Sequence, residues 1–376
     1  MELKIKKEDF LKSLERTLSV VERRSTMPSL NHALLELKDE SLNVSATDLE
    51  IFISSTVACK SLVEGRLAVP ARSCYDIVKE CEDGSEITLR TLDSSRIEII
   101  SNKSVFRLHG LAADSFPHFK ASPKGELNKS TLNCKDFAKL ISQTEFSVST
   151  EEIRYFLTGV FFEAVEEEGK NILRCVATDG HRLSLMDAEQ NSKNPLSLKK
   201  GLIIPKKGST ELRKLLESTD EESFELSCDE NLIRANVGKY KLWIRPIDGE
   251  YPNYKPVIPK NLSSTLKVSR VNFLKSLKKM SLLVSDRSRV VTFEFQKKNI
   301  VMSTNNPDLG EAKDELSVID GSAEVKTGFN VRFFIEAVNH FQGDEIELHV
   351  GEKLQPLMVT AKENPGYLAV IMPMRI

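Results

Sequence analysis

Three segments of the chain place apolar residues at helical spacing, and each opens with a phenylalanine. The segments are residues 10–18, 137–141 and 273–280. Each carries apolar side chains at i, i+1 and i+4 or close to it, which puts them on one face of an α-helix. The pattern predicts three amphipathic helices, each with one buried face.

A strand–turn–strand pattern follows each predicted helix. The strands are expected at residues 33–37 and 45–48, at 160–163 and 176–180, and at 291–295 and 301–306. A Thr-Asp or Thr-Asn pair recurs within them at positions 47, 178 and 304, at intervals of 131 and 126 residues. A second helix is then introduced by residues 69–72, 204–207 and 328–331, and proline at the first two entries is typical of a helix N-terminus.

These matched landmarks predict one unit repeated three times. The first two units also close alike, with Phe-Pro-His-Phe at 116–119 and Tyr-Pro-Asn-Tyr at 251–254. Two helices on antiparallel sheet make each unit an α+β domain, and we place the domains at residues 1–121, 122–254 and 255–376. The alternative is three unrelated α+β domains, which would have no reason to repeat the same landmarks at similar intervals.

The net charge of −2 conceals an uneven distribution. The six predicted helices, taken as residues 6–24, 70–81, 135–146, 205–217, 270–280 and 328–342, hold 19 basic and 11 acidic residues, whereas the remainder holds 34 and 44. Helices that line a hole would present positive charge to phosphates without reading bases. The simpler alternative is that basic residues are common on solvated helix faces, which leaves the acidic remainder unexplained.

Cysteine usage and hydropathy indicate the compartment. The six cysteines are scattered, with no CxxC pair and no metal-ligand spacing, which is typical of a reduced cytoplasmic protein without a metal site. No apolar run approaches the roughly 18 residues of a membrane span. The polar first eight residues are unlike a secretion signal, which disfavours a repeat adhesin at the cell surface.

Residues 177–183 contain the best candidate for catalysis. Asp179 and His181 could form an acid–base pair in an enzyme that acts on nucleic acid, and this is the second functional hypothesis. The recurrence of the Thr-Asp element instead favours a turn stabilised by its own side chains. The residues that follow, Gly180 to Leu183, are equally consistent with a recognition edge and with a capped turn whose leucine lies in the core. The sequence has none of the common nucleotide-binding or hydrolase motifs.

The chain resembles the bacterial DNA polymerase III β subunit family, the replicative sliding clamps, over its full length. The resemblance rests on residues 177–183, 69–72 with 204–207, 328–331 and 372–376. It implies three similar clamp domains per chain, with two chains closed head to tail into a ring and the helices lining the inside. Such a homodimer encircles double-stranded DNA regardless of sequence, has no catalytic residues and acts as a processivity factor. It is expected to need no cofactor, because a clamp loader opens the ring.

The resemblance also implies partners and their binding site. In the family a pocket binds short peptides of the replicative polymerase, the clamp loader, repair polymerases and mismatch-repair proteins. Leu183, Val257, Val370 and Met372 are expected to form its floor, and His181 and Arg182 to supply hydrogen bonds at its rim. The matching pocket positions are Leu157, Thr178, Gly180, His181, Arg182, Leu183, Pro252, Val257, Asn330, Phe333, Val370, Met372, Pro373, Met374 and Arg375.

Two further sets of residues are carried over from the family. The first set is expected to contact DNA and comprises Arg24, Arg72, Tyr155, Lys206 and Lys207. The second set is expected to form the dimer interface, with Phe106 and Leu108 on an edge strand facing Leu282 and Leu283 of the other chain. Pairing across an interface would protect an apolar edge strand from aggregation.

Overall fold

The structure is a computed structural model that describes residues 1–22, 26–119, 128–190, 192, 194–198, 200–260, 262–284 and 289–376. Its helices, within these residues, are α1 Lys7–Leu18, α2 Ala71–Glu80, α3 Cys134–Ser142, α4 Lys206–Glu217, α5 Arg270–Ser281 and α6 Val331–Asn339. Each of the three helices predicted to open with phenylalanine is present. Phe10, Phe137 and Phe273 are all buried, which confirms the predicted apolar face.

The strands of the described chain follow in order. The first third contains β1 Glu2–Lys6, β2 His32–Lys38, β3 Ser41–Thr47, β4 Ile51–Ala58, β5 Lys60–Val63, β6 Gly65–Pro70, β7 Glu86–Thr91, β8 Arg96–Ser101 and β9 Ser104–His109. The middle third contains β10 Asn128–Asn133, β11 Gly159–Glu167, β12 Lys170–Thr178, β13 Arg182–Glu189, β14 Leu202–Pro205, β15 Ser223–Cys228, β16 Ile233–Val237 and β17 Tyr240–Ile244. The last third contains β18 Ser264–Ser269, β19 Val290–Phe295, β20 Asn299–Asn306, β21 Gly310–Ser317, β22 Asp320–Gly321, β23 Val325–Asn330, β24 Glu345–Val350, β25 Leu357–Thr360 and β26 Tyr367–Ile371.

These strands form four antiparallel sheets in two compact units. The first unit comprises residues 1–135, 192–196 and 210–246, and holds sheets of order β5-β1-β7-β8-β9 and β10-β15-β16-β17-β4-β3-β2-β6. The second comprises residues 136–191, 197–209 and 247–376, and holds sheets β14-β11-β12-β13-β26-β25-β24-β18-β22 and β21-β20-β19-β23. Helices with antiparallel sheet confirm the α+β class.

Alternating burial along the strands explains how the helices attach to the sheets. In the first unit, Phe10 and Leu14 of α1 pack with Val78 of α2 in one cluster that includes residues from both sheets, such as Leu35 and Leu89. The second unit repeats this arrangement in aromatic form, because Phe273, Phe293 and Phe334 lie within 6.4 Å of one another, measured between ring centroids. Burying one face of each element in this way is the main source of stability.

The Thr-Asp turns confirm the repeat in the first two units and correct it in the third. Asp48 Oδ1 accepts hydrogen bonds from the amides of residues 50 and 51, and Asp179 Oδ1 accepts them from residues 181 and 182. In the third repeat the side chain that accepts from the amide two residues later is that of Asn306. Strand register agrees, because Ser45, Val176 and Ser303 are equivalent residues of the second strand in the three repeats. The turn residue whose side chain accepts these bonds lies three positions after each of them. The third element is therefore Asn305-Asn306, one residue later than the predicted Thr304-Asn305.

Candidate peptide-binding and DNA-contact sites

The turn between β12 and β13 is fixed by its own side chains. Thr178 Oγ1 donates to the Arg182 carbonyl at 2.5 Å and accepts from the Gly180 amide at 3.0 Å. Gly180 has φ +88°, and a Cβ there would lie 2.8 Å from the guanidinium of Arg154. Glycine is thus required both by the left-handed backbone and by the close approach. The turn leaves the His181 side chain exposed.

Arg182 is held by protein groups on every side. Its Nε donates to Asp179 Oδ2 at 3.0 Å, its Nη1 pairs with Glu336, and its Nη2 donates to the Phe146 carbonyl at 2.6 Å. The guanidinium also lies over two aromatic rings, 4.6 Å from the Phe333 centroid and 5.4 Å from the Phe146 centroid. One N–H donor on each of its three nitrogens is thus directed to a group of the protein, and the supply of hydrogen bonds by Arg182 at a pocket rim stays a prediction. Arg182 links the 178–183 turn to α6.

The expected floor of the pocket is partly buried core and partly accessible surface. Leu183 on β13 lies opposite Val370 on β26, and both are fully buried in a cluster with Tyr254. Val257 is 36 % exposed and Met372 is half-buried, so these two side chains remain accessible to a ligand. The amide of Met372 donates to the His181 carbonyl at 2.9 Å, which holds the C-terminal segment beside the turn.

The C-terminal segment bridges two sheets of the second unit. The Met374 amide donates to the Gly328 carbonyl at 2.7 Å, directly before α6. Pro373 and Met374 are half-buried, and Arg375 is exposed. Phe333 on α6 is half-buried, and its ring lies 6.5 Å from that of His181 with an interplanar angle of 17°. The structure thus gathers the 178–183 turn, α6 and the C-terminus around one surface.

A buried charge network anchors the segment that carries Pro252 and Val257. The Tyr254 hydroxyl donates to Glu163 at 2.5 Å, and Arg174 lies 3.4 Å from the same hydroxyl. Arg174 also makes a two-point contact with Asp187 at 2.7 Å. Burial raises the pKa of Asp187, although Arg174 opposes this. The sequence signalled none of these supporting residues, since a charged residue on a strand looks like a solvent-facing one.

The remaining pocket positions fall on the same unit. Leu157 is buried, and Pro252 and Gly180 are exposed. Asn330 is half-buried and caps α6, since its side chain accepts from the Arg332 amide at 3.0 Å. The side chain of Asn330 is therefore occupied in starting the helix that presents Phe333.

The same contacts weaken the catalytic hypothesis. The Asp179 carboxylate accepts hydrogen bonds from two amides and from Arg182, and the His181 ring stacks towards Phe333. A general base needs a lone pair directed at a substrate proton. Among the described residues, no group of three or more His, Cys, Asp or Glu side chains could hold a metal ion.

Basic residues expected to contact DNA lie exposed on helices of both units. Lys206 and Lys207 occupy the first turn of α4. The Lys206 amide lies 3.3 Å from the Thr158 carbonyl, and Thr158 Oγ1 donates to the Tyr155 carbonyl at 2.6 Å, so Tyr155 is tied to the same helix end. Arg72 on α2 is exposed and pairs with Asp76 at 3.0 Å. Arg24 lies outside the described residues.

The charge separation survives the observed helix bounds. The six α-helices hold 16 basic and 9 acidic residues, which leaves 37 and 46 elsewhere. The excess is concentrated in α4 and α5, which together hold 8 basic and 2 acidic residues. A positive helix surface suits phosphate contact without base recognition.

The expected interface residues lie at two sheet edges. Phe106 and Leu108 are on β9, which among the described strands pairs only with β8, and Phe106 is 37 % exposed. Leu282 follows the last residue of α5 and is 77 % exposed. Helix α5 is joined to the edge strand β21 by a salt bridge of 3.1 Å between Lys279 and Asp314.

Comparison with known proteins identifies the family of the chain. Residues 1–120, 131–253 and 255–375 match the N-terminal, central and C-terminal domains of the DNA polymerase III beta subunit. The beta sliding clamp of Caulobacter vibrioides is 32 % identical over the full length of both chains, and that of Escherichia coli K12 is 29 % identical with equal coverage. The chain therefore belongs to the DNA polymerase III beta subunit family.

Solved structures give the same result. A crystal structure of the Caulobacter crescentus beta sliding clamp has a TM-score of 0.94 at 32 % identity and covers both chains completely. The Bartonella birtlesii sliding clamp bound to griselimycin has the same score, identity and coverage. The fold thus consists of three clamp-type domains, and the function is that of a DNA sliding clamp with no catalytic activity of its own. Within the described residues no helix is long and apolar enough to cross a membrane.

Proposed function

We propose that two copies of this chain close head to tail into a ring around duplex DNA and hold the replicative polymerase there by a peptide. Each chain would contribute three domains, at residues 1–121, 122–254 and 255–376. Replication of chromosomal DNA implies a cytoplasmic location. The observation that carries the proposal is a repeated pairing of strands from neighbouring repeats, here called a junction. It occurs twice within the chain and leaves two matching edges unpaired among the described strands.

The two internal junctions have the same register. In the first, β17 pairs with β4, with Ile244 opposite Ile51 and Leu242 opposite Ile53. In the second, β26 pairs with β13, with Ile371 opposite Arg182 and Ala369 opposite Ser184. The pairing of each strand with its neighbour in the same repeat shows which residues are equivalent. Ile244 is equivalent to Ile371, and Ile51 is equivalent to Arg182.

The same count applied to the unpaired edges gives a third junction. Strand β9 is equivalent to β17 and β26, and β21 is equivalent to β4 and β13. Pairing β9 of one copy with β21 of another would place Leu108 opposite Gly310, Phe106 opposite Ala312 and Arg107 opposite Glu311. Large side chains then meet small ones, and a cation meets a carboxylate. Leu242 and Ile244, which occupy the positions of Phe106 and Leu108, are fully buried at the internal junction.

A contact between different surfaces closes into a ring only at a fixed rotation. Three domains and three junctions of one kind per chain support a ring of two chains. The exposed Leu282, together with Leu283, lies on the same side as β21 because α5 contacts that strand, so both are proposed to cover Phe106 and Leu108.

The basic helices are proposed to face the enclosed DNA. Arg24, Arg72, Lys206 and Lys207 would contact phosphates, and Tyr155 would lie next to them. Such contacts are weak and fall steeply with salt. Retention on DNA would therefore depend on closure of the ring.

The surface around the 178–183 turn is proposed to bind partner peptides. The exposed part of Val257, the half-buried Met372 and Met374, and the Phe333 ring support this, because they offer apolar area beside a rigid backbone. Flexible methionines suit a site that accepts related sequences. The clamp loader, repair polymerases and mismatch-repair proteins are proposed to share it with the replicative polymerase.

A cysteine pair tests the junction register. Arg107→Cys with Glu311→Cys should form a disulfide-linked dimer under mild oxidation, because directly opposite residues have Cβ atoms about 4.5–5.5 Å apart. A matched pair, Arg107→Cys with Glu315→Cys, shifts one partner along the strand by four residues and should remain unlinked. Equal linkage of both pairs, or of neither, would overturn the register.

A further inference from the structure

An aromatic and cationic patch lies on the junction between β17 and β4. We define the Trp243 patch as Phe52, Phe119, Arg234, Trp243 and Arg245. Trp243 is the single tryptophan of the chain, and its ring centroid lies 4.9 Å from that of Phe52, which is opposite it in register. Phe119 lies 6.0 Å from both rings. All three rings are half-buried, so part of each remains accessible.

The two arginines of the patch contact rings rather than carboxylates. The Arg234 guanidinium is 5.0 Å from the Trp243 centroid, and that of Arg245 is 5.9 Å from the Phe119 centroid. The Nε of Arg234 is buried without a hydrogen-bond partner. Across the described residues neither guanidinium forms an ion pair, although both carry permanent charge. A buried donor of this kind is costly to leave unpaired, so a carboxylate within its reach would be stabilised.

The backbone of the patch matches that of the peptide-binding surface. The amide of Arg245 donates to the Glu50 carbonyl at 2.8 Å, as that of Met372 donates to His181. By the register of the two junctions, Phe52 and Trp243 stand where Leu183 and Val370 stand. The first junction thus has the same backbone arrangement as the second. Aromatic side chains replace the aliphatic ones of Leu183 and Val370, and Arg245 replaces Met372.

We infer that the Trp243 patch is a second peptide-binding site, selective for acidic peptides with an apolar anchor. Carboxylates of the peptide would pair with Arg234 and Arg245, and its leucine or phenylalanine side chain would pack on Phe52 and Trp243. The inference rests on the proposed function only in its comparison with the first site. An acidic peptide would be attracted to this pair of guanidinium groups, because neither is paired with a carboxylate among the described residues.

Tryptophan fluorescence tests this directly, because Trp243 is the only reporter of its kind. The probe is a nonapeptide with a central Leu-Leu-Phe and three glutamates on each side, which itself contains no tryptophan. We expect a saturable change of emission with the full chain and with a chain that ends at Ile371. The truncated chain separates the two sites, because it lacks the C-terminal part of the first one.

Matched variants complete the test. Arg234→Gln with Arg245→Gln should weaken binding at least tenfold, whereas the control Lys353→Gln with Lys362→Gln, which removes the same charge at exposed positions, should leave it unchanged. Replacing the six glutamates of the probe by glutamine should have the same effect as the double arginine variant. No saturable change, equal affinity of both double variants, or tighter binding of a thymidine oligonucleotide than of the peptide would overturn the inference. Dimer mass and DNA retention, measured on the same samples, report separately on the proposed ring.

Discussion

The guanidinium of Arg182 lies 4.6 Å from the centre of the Phe333 ring, and this contact joins two parts of the proposed partner-binding surface. One part is the turn that carries His181, and the other is the exposed side of α6. Arg182 also pairs with Glu336 on the same helix. These contacts support a positioning role for Arg182, through Phe333, in the proposed peptide binding.

Replacing Arg182 should therefore reduce both stability and peptide affinity. Arg182→Ala leaves the carboxylates of Asp179 and Glu336 without their partner, and we expect a cost of roughly 2–3 kcal/mol, below the value for a fully buried pair because Glu336 is half exposed. Arg182→Lys keeps the charge but loses the planar guanidinium group. Its stability and peptide affinity should therefore lie between those of Arg182→Ala and of the unmodified protein. Thermal denaturation and anisotropy of a labelled partner peptide measure the two effects. Undiminished peptide affinity in Arg182→Ala would contradict the positioning role.

Deleting residues 372–376 should abolish partner-peptide binding while the dimer still forms. The deletion removes Met372 and Met374 from the surface, together with their bonds to His181 and Gly328. Each apolar peptide side chain would lose burial worth about 1.5–3 kcal/mol. Fluorescence anisotropy compares the truncated and full-length chains. Arg375→Ala is the control, since that side chain is exposed, and it should bind the peptide almost normally. Equal affinity of truncated and full-length chains would place the site elsewhere.

Leu108→Asp should produce monomers. The substitution puts a charge where the equivalent residue of the internal junction, Ile244, is fully buried. Light scattering at micromolar concentration should give the mass of one chain for Leu108→Asp and of two for the unmodified protein. Leu62→Asp is the matched control, because Leu62 is 48 % exposed on β5, at the opposite edge of the same sheet. A dimer that survives Leu108→Asp would remove β9 from the interface.

Acid should weaken the first unit through Glu98. This buried carboxylate accepts from Arg90 at 2.5 Å and from Arg107 at 3.0 Å, and these bonds, Arg90 first, lower its pKa below the usual value. Because the folded pKa is the lower one, the contribution is complete above the unfolded pKa and is lost as the pH falls through the folded pKa. Glu98→Gln should therefore have a lower melting temperature than the unmodified protein at pH 7. The difference in melting temperature should shrink as the pH falls below the pKa of an ordinary glutamate. A difference independent of pH would contradict the assignment.

Much of the fold was predictable because its signals are local. Apolar spacing located the helices that contain Phe10 and Phe273, and side-chain-stabilised turns located the Thr-Asp elements. The third turn was placed one residue early, because Thr304-Asn305 and Asn305-Asn306 look alike until strand pairing decides between them.

The site was less predictable because its supports are distant in sequence. Arg182 and Glu336 are 154 residues apart, and Tyr254 and Glu163 are 91 apart. Sequence periodicity does not reveal such pairs, so the sequence did not indicate that Glu336 binds the guanidinium of Arg182. The equivalence of the two internal junctions likewise emerged only from strand register.

The central claim, that the protein is held on DNA by encirclement, is tested most directly on one DNA molecule before and after cutting. The protein is loaded onto a nicked circle, washed at moderate salt to weaken phosphate contacts, and the DNA is then linearised with a restriction enzyme. Bound protein is measured by gel filtration. The account predicts that protein stays on the circle and is released after the cut. Protein that remains on the linear DNA at the same salt would show that ordinary affinity holds it, and would contradict the ring.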